Sequence, residues 1–121
     1  MSTQRKLVVV VDDDPSMLKG VQRLLTAKGF DTAVFASAEE FLDCAGRRDV
    51  ACFILDIHLG GMSGIELRRH LAASGCTVPV IFMTAFDDEP TRQEAVAAGC
   101  IAYLHKPFPA HLLISALDQT G

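Results

Sequence analysis

Four apolar runs in this chain end at polar residues whose types match what a phosphoryl group demands. Leu7-Val8-Val9-Val10-Val11 stops at Asp12-Asp13, Phe53-Ile54-Leu55 at Asp56, and Val80-Ile81-Phe82-Met83 at Thr84. Ile101-Ala102-Tyr103-Leu104 runs through His105 to Lys106. A side-chain carboxylate can attack a phosphoryl group and form an acyl phosphate. The incoming group is heavily charged, so a divalent cation is needed to screen it. Mg2+ is usually held by one or two carboxylates together with phosphate oxygens and waters. A lysine pairs with a phosphate oxygen as a point charge, and a hydroxyl can donate to another. Asp56, Asp12 with Asp13, Lys106 and Thr84 cover those roles. Taken singly, each has a plainer explanation: a helix cap for Asp12 and Asp13, a strand end for Thr84, a solvated surface for Lys106.

For these groups to meet, the runs must be strands of one parallel sheet, because ligand sites of open α/β sheets form at the carboxyl edge. The pattern supports this. A fifth, weaker run, Asp31-Thr32-Ala33-Val34-Phe35, mixes polar residues and predicts an edge strand. The runs at 7–11, 52–55, 80–84 and 101–104 are almost wholly apolar, as strands covered on both faces are. Helical patterns separate them, which implies βαβ units. Asp14-Pro15 predicts a first helix carrying Met17, Val21, Leu24 and Leu25 and ending at Lys28-Gly29. Ser37-Ala38-Glu39-Glu40 has capping-box spacing before Phe41 and Leu42. Ser63-Gly64 leads into Ile65, Leu67 and Leu71, with Arg68-Arg69-His70 expected to face out. Pro90 opens a fourth helix ending at Ala98-Gly99. Pro109 opens a fifth, with Leu112, Leu113, Ala116 and Leu117 on one face.

With 121 residues, half of them apolar, the chain suits one folded domain, residues 1–121, with no output domain in it. A net charge of -4 argues against direct nucleic-acid binding, which needs a basic face. Cys44, Cys52, Cys76 and Cys100 show no CxxC spacing, so free thiols are expected and not a disulfide framework or a zinc site. His58, His70, His105 and His111 are scattered. Arg47-Arg48 and Arg68-Arg69 read as solvated helix faces. No signal peptide or membrane-spanning run is visible, and the expected compartment is the cytoplasm.

The ordered segments Val10-Val11-Asp12-Asp13-Asp14-Pro15, Leu55-Asp56-Ile57-His58-Leu59 with Met62-Ser63-Gly64, Met83-Thr84-Ala85-Phe86 and Tyr103-Leu104-His105-Lys106-Pro107-Phe108 resemble a response-regulator receiver domain of bacterial two-component systems. The later segments look closest to receivers of the nitrogen-fixation regulator type. The resemblance implies a flavodoxin-like doubly wound (βα)5 fold with strand order 2-1-3-4-5. It implies Asp56 as phosphoacceptor, Asp13 as direct Mg2+ ligand, Asp12 as companion acid and the His58 backbone carbonyl as a further ligand. Thr84 matches the hydroxyl that senses the phosphoryl group, Ala85 the small residue beside it, and Lys106 the phosphoryl-pairing lysine. Tyr103 resembles an aromatic that turns inward when Thr84 moves, and Lys106-Pro107 is expected to be cis. His58 and Phe86 match positions bordering the attacking water. One loop departs from the family pattern: Leu59-Gly60-Gly61 stands where a Met-Pro pair is usual. Two glycines predict a looser loop, with an effect on metal binding or phosphoryl lifetime.

The implied function is a switch, not a turnover enzyme, that takes a phosphoryl group from a sensor histidine kinase or a small phosphodonor. It promotes its own phosphorylation and dephosphorylation. The face formed by the fourth helix, fifth strand and fifth helix is expected to bind a partner or a second copy. DNA would be reached only through an output domain. The chain is then the receiver part of a transcription regulator, or a stand-alone receiver acting by protein contact. A phosphatase with an Asp nucleophile would want a second Asp where His58 stands. A flavodoxin-type flavin site would want a Ser/Thr/Gly-rich loop after the first strand. A degenerate receiver would lack the full set of acids, hydroxyl and lysine.

Overall fold

The computed structural model describes residues 5–44 and 49–120, so Arg47-Arg48 lies outside the described residues. The expected alternation is present: β1 (Leu7–Val11), α1 (Pro15–Ala27), β2 (Asp31–Phe35), α2 (Ala38–Asp43), β3 (Val50–Asp56), α3 (Gly64–Ala73), β4 (Val80–Thr84), α4 (Glu89–Ala98), β5 (Ala102–His105) and α5 (Ala110–Asp118). Every pairing is parallel and the order is β2-β1-β3-β4-β5, as predicted. The polar run becomes the edge strand β2.

Strand alternation sorts the core into two halves, since successive side chains point to opposite faces. Val9, Val11, Phe53, Leu55, Val80 and Phe82 face α2, α3 and α4, where Ala38, Phe41, Ile65, Leu67, Leu71 and Ala95 meet them. Val8, Val10, Cys52, Ile54, Ile81 and Met83 face α1 and α5, where Val21, Leu25, Leu113, Ala116 and Leu117 meet them. Both faces of the central strands are dry, which explains their unbroken apolar runs. Three aromatics, Phe35, Phe41 and Phe53, pack edge to face under α2, with ring centroids 5.5 and 5.4 Å apart.

Register then decides what the strand ends can do. Val11 lies beside Leu55, Asp56 beside Met83, and Thr84 beside His105. The residues that follow the apolar runs therefore emerge at one level, on one edge.

Local chemistry departs from the sequence reading in several places. Ser37 caps α2, accepting from the Glu40 N–H at 3.0 Å, but the Glu40 side chain reaches the Ala36 N–H and not that of Ser37. The reciprocal capping box belongs to α3 instead, between Ser63 and Glu66 at 3.1 and 2.9 Å. That spacing was visible in the sequence. Helix α4 starts one residue before Pro90 and is capped by the Asp88 side chain, which accepts from Thr91 N–H. Leu112 is exposed while Leu113, Ala116 and Leu117 are buried, because α5 presents a narrower stripe than the four leucine and alanine positions imply. Arg68 does not face out: its Nε donates to the Gly99 carbonyl at 3.0 Å, tying α3 to the end of α4. Its stem is half-buried while Arg69 and His70 are exposed. All four cysteines are free. No helix among the described residues is long and apolar enough to cross a membrane.

Gly64, the first residue of α3, shows how tightly this edge is built. A Cβ there would collide with the Asp56 carbonyl oxygen and come within 3.2 Å of the Ile57 Cα, and the Gly64 N–H donates to the Ile57 carbonyl at 3.1 Å. In an open helix Gly→Ala gains about 1 kcal/mol. Here the obstruction is backbone and cannot step aside, so Gly64→Ala should instead destabilise the fold by about 1–3 kcal/mol, measured by urea unfolding.

Candidate functional site

The carboxyl edge brings four of the sequence-predicted residues together. Asp12, just past β1, is fully buried, and Asp56, the last residue of β3, is 5% exposed. Lys106, just past β5, places its Nζ 2.7 Å from Asp12 Oδ2 and 3.2 Å from Asp56 Oδ2. Asp13 is exposed beside them, and one carboxylate oxygen from each of Asp12, Asp13 and Asp56 lies within 4.8 Å of the others. Backbone donors steady the two buried acids: Asp14 N–H to Asp12 Oδ1 at 2.9 Å and His58 N–H to Asp56 Oδ1 at 3.3 Å.

One ammonium cannot balance three carboxylates. Burial, followed by the neighbouring charge of Asp12, pushes the Asp56 pKa from an ordinary 3.8 up to about 6, even with Lys106 pulling the other way. For Lys106, burial acts to lower its pKa, but the hydrogen bond to Asp12 and the charges of Asp56 and Asp12 outweigh it, and the net shift is upward. Lys106 therefore stays protonated and the excess negative charge stays with the acids. Clustered oxygen donors with unbalanced charge fit a hard divalent cation such as Mg2+. They also repel an anion that arrives without one.

Thr84 is buried at the end of β4 on the same edge, but its hydroxyl is engaged elsewhere. It donates to the Phe86 carbonyl at 2.9 Å and accepts from the Phe86 N–H at 3.0 Å. The Lys106 N–H donates to the Thr84 carbonyl at 2.8 Å, so β4 and β5 remain joined up to the site. The His58 side chain is exposed, and its ring meets Phe86 edge to face with centroids 5.3 Å apart. Phe86 is 66% exposed, so the pair stands as a ridge beside the pocket.

Tyr103 on β5 packs its ring against the core cluster of α3 and α4, with the Arg92 guanidinium 5.5 Å from the ring centroid. Its hydroxyl is buried without a hydrogen-bond partner. Burial and the Asp87 and Asp88 carboxylates raise its pKa, Asp87 acting through its charge from outside hydrogen-bonding geometry. The Lys106-Pro107 peptide is cis, as the resemblance implied.

One participant escaped the sequence reading. Glu39, on the first turn of α2, accepts the Met62 N–H at 2.8 Å, which draws its pKa down. The bond ties Met62, the residue after the glycine pair, to α2. The partners are 23 residues apart, and no local pattern links them.

The family model described as "Response regulator receiver domain" matches residues 8–118. Among curated relatives, "Response regulator protein TmoT" of Ectopseudomonas mendocina is 34% identical over 97% of this chain and 53% of its own length. "Transcriptional regulatory protein FixJ" of Azorhizobium caulinodans is 36% identical over 91% of this chain and 52% of its own, in keeping with the nitrogen-fixation regulator type. The chain spans about half the length of the curated relatives it matches. Among solved structures, a response regulator receiver protein from Burkholderia phymatum superposes with a TM-score of 0.84 at 43% identity, covering 96% of this chain and 94% of that one.

The raised Asp56 pKa has a consequence for stability. In the absence of divalent cation the folded state holds the Asp56 proton more tightly than the unfolded chain does. This contribution is fully present below the unfolded value of 3.8 and is lost as pH rises through about 6. With a chelator present, Asp56→Asn should be more stable than the parent at pH 7.5 by about 1–3 kcal/mol, and the gain should vanish near pH 4. Paired urea titrations across that range check it; a gain that does not depend on pH would refute the charge argument.

Proposed function

Because the chain belongs to the response-regulator receiver family, we propose that Asp56 is the phosphoacceptor of a signalling switch that works with bound Mg2+. The observation that carries this is the contact of the Lys106 ammonium with a buried Asp56 carboxylate at the rim of a three-acid cluster.

In the proposed reaction an Asp56 carboxylate oxygen forms a bond to phosphorus while the P–N bond of a phosphohistidine on a partner kinase breaks. The imidazole leaves, and the product is an acyl phosphate. A small phosphodonor serves in the same way, with a P–O bond breaking. Asp12, Asp13, Asp56 and the His58 backbone carbonyl would hold the Mg2+, which supplies positive charge to the phosphoryl oxygens. Lys106 needs no long movement to pair with one of those oxygens, since it already touches Asp56. Water later hydrolyses the acyl phosphate, and the chain thereby takes part in both charging and discharging itself. Catalysis of this kind is positioning plus electrostatics.

Thr84 links the charge to the surface. To donate to a phosphoryl oxygen, its hydroxyl has to release Phe86 and free the segment that leads into α4. Tyr103 and Arg92 lie on the same side. Val96 on α4 and Leu112 on α5 are 63% and 42% exposed, and that α4–β5–α5 face is the expected docking site for an output partner or a second copy. The name of the FixJ relative, a transcriptional regulatory protein about twice as long as the matched stretch, supports reading this chain as the receiver part of a transcription regulator, with any DNA contact made by another domain.

Intact mass after incubation with acetyl phosphate and Mg2+ tests the core of this. A single phosphoryl adduct should form, and it should be absent in Asp56→Asn and after EDTA treatment. Persistence of the adduct in Asp56→Asn would remove Asp56 from the role. The His58–Phe86 ridge should slow the entry of water. Phe86→Ala should therefore shorten the acyl-phosphate half-life several-fold with little change in charging rate, and an unchanged half-life would discard the shield.

A further inference from the structure

The segment between β3 and α3 is well fastened at both ends. His58 N–H reaches Asp56 Oδ1, Gly64 N–H reaches the Ile57 carbonyl, and the Ser63–Glu66 capping box closes the far side. Its middle contains Gly60 and Gly61, which impose little on the backbone. Among the described residues, the Met62 N–H to Glu39 Oε2 bond of 2.8 Å is the only hydrogen bond that ties residues 59–62 to another element.

The fit is mutual. Gly61 has φ +144, and a Cβ there would come 2.8 Å from Glu39 Oε2 and 3.2 Å from Oε1. The carboxylate occupies the room that any other residue at position 61 would need. Complementing the dipole at the start of α2 would not require Glu39 to bend toward this loop. A carboxylate hydrogen-bonded to a backbone N–H is also among the stronger contacts available at a surface.

We propose that Glu39 is a positioning residue for the cation site: its carboxylate holds the Gly60-Gly61 loop and so keeps the His58 backbone carbonyl available to Asp12, Asp13 and Asp56. This rests on the cation-binding role given to that cluster above. A side chain from α2 thus supplies the restraint that the two glycines do not. Without it the loop populates many conformers, and cation binding has to gather them, which weakens apparent affinity in proportion to the competent fraction.

Two measurements on the 121-residue chain test this together: Mg2+ affinity by calorimetry, and exchange of the Met62 amide in metal-free protein. Glu39→Ala should speed Met62 exchange and weaken Mg2+ binding roughly fivefold. That is less than the ~10–100-fold expected of a group bonded to a ligand itself. Glu39→Gln keeps an acceptor oxygen and should restore most of both. The thermal midpoint should stay near wild type in each variant, since Glu39 is exposed. Unchanged Mg2+ affinity in Glu39→Ala overturns the proposal, whether or not Met62 exchange responds. Equal losses in Glu39→Ala and Glu39→Gln also overturn it, because charge alone would then be responsible. A wild-type chain that binds no Mg2+ at all refutes the cation site itself, a result distinct from either.

Discussion

A single ammonium set between two buried carboxylates governs this molecule. Lys106 Nζ holds Asp12 and Asp56 at 2.7 and 3.2 Å. Withdrawing charges from water costs several kcal/mol per ion unless partners compensate. Here the partners are one lysine and two backbone N–H groups, with a third acid close by. The deficit is what raises the proton affinity of Asp56 and what makes the edge receptive to a divalent cation. An acidic cluster stable without help would have little reason to bind either.

Such a frustrated arrangement survives only on a stiff support. The support is a five-stranded parallel sheet with both faces covered, in which neighbouring strands end at matched levels. Gly64 shows the tolerance involved, because the start of α3 lies against the Asp56 carbonyl too closely for a methyl group. The loops around the edge are correspondingly restrained, by the Ser63–Glu66 box, by Asp88 at α4, and by Glu39 at Met62.

The same economy bears on signalling. Thr84 has its hydroxyl committed to Phe86, and Tyr103 has its hydroxyl buried with no partner. A buried polar group without a bond carries a desolvation penalty, which falls on Tyr103 alone, since the Thr84 hydroxyl both donates and accepts. A new charge on Asp56 would compete for Thr84 and Lys106 together, and these are joined through the Lys106 N–H to Thr84 carbonyl bond. Modest forces at the edge can therefore be felt on the outer faces of α4 and β5.

The amino-acid sequence by itself determined the fold class, the strand order expected from resemblance, and the candidates Asp12, Asp13, Asp56, Thr84 and Lys106. Those signals are local: apolar runs of strand length, polar residues immediately after them, and helix starts marked by proline, serine and aspartate. Pattern failed where a side chain answers to something distant. Arg68 looked solvated beside Arg69, yet its Nε found the Gly99 carbonyl 31 residues on. Leu112 looked like core, yet the rotation of α5 left it exposed. Glu39 looked like part of a helix start alone, yet its carboxylate accepts the Met62 N–H 23 residues on. Only the tertiary structure decided these, because a hydrogen bond between remote segments depends on the packing of whole helices, and neither partner carries a mark of the other in its own neighbourhood.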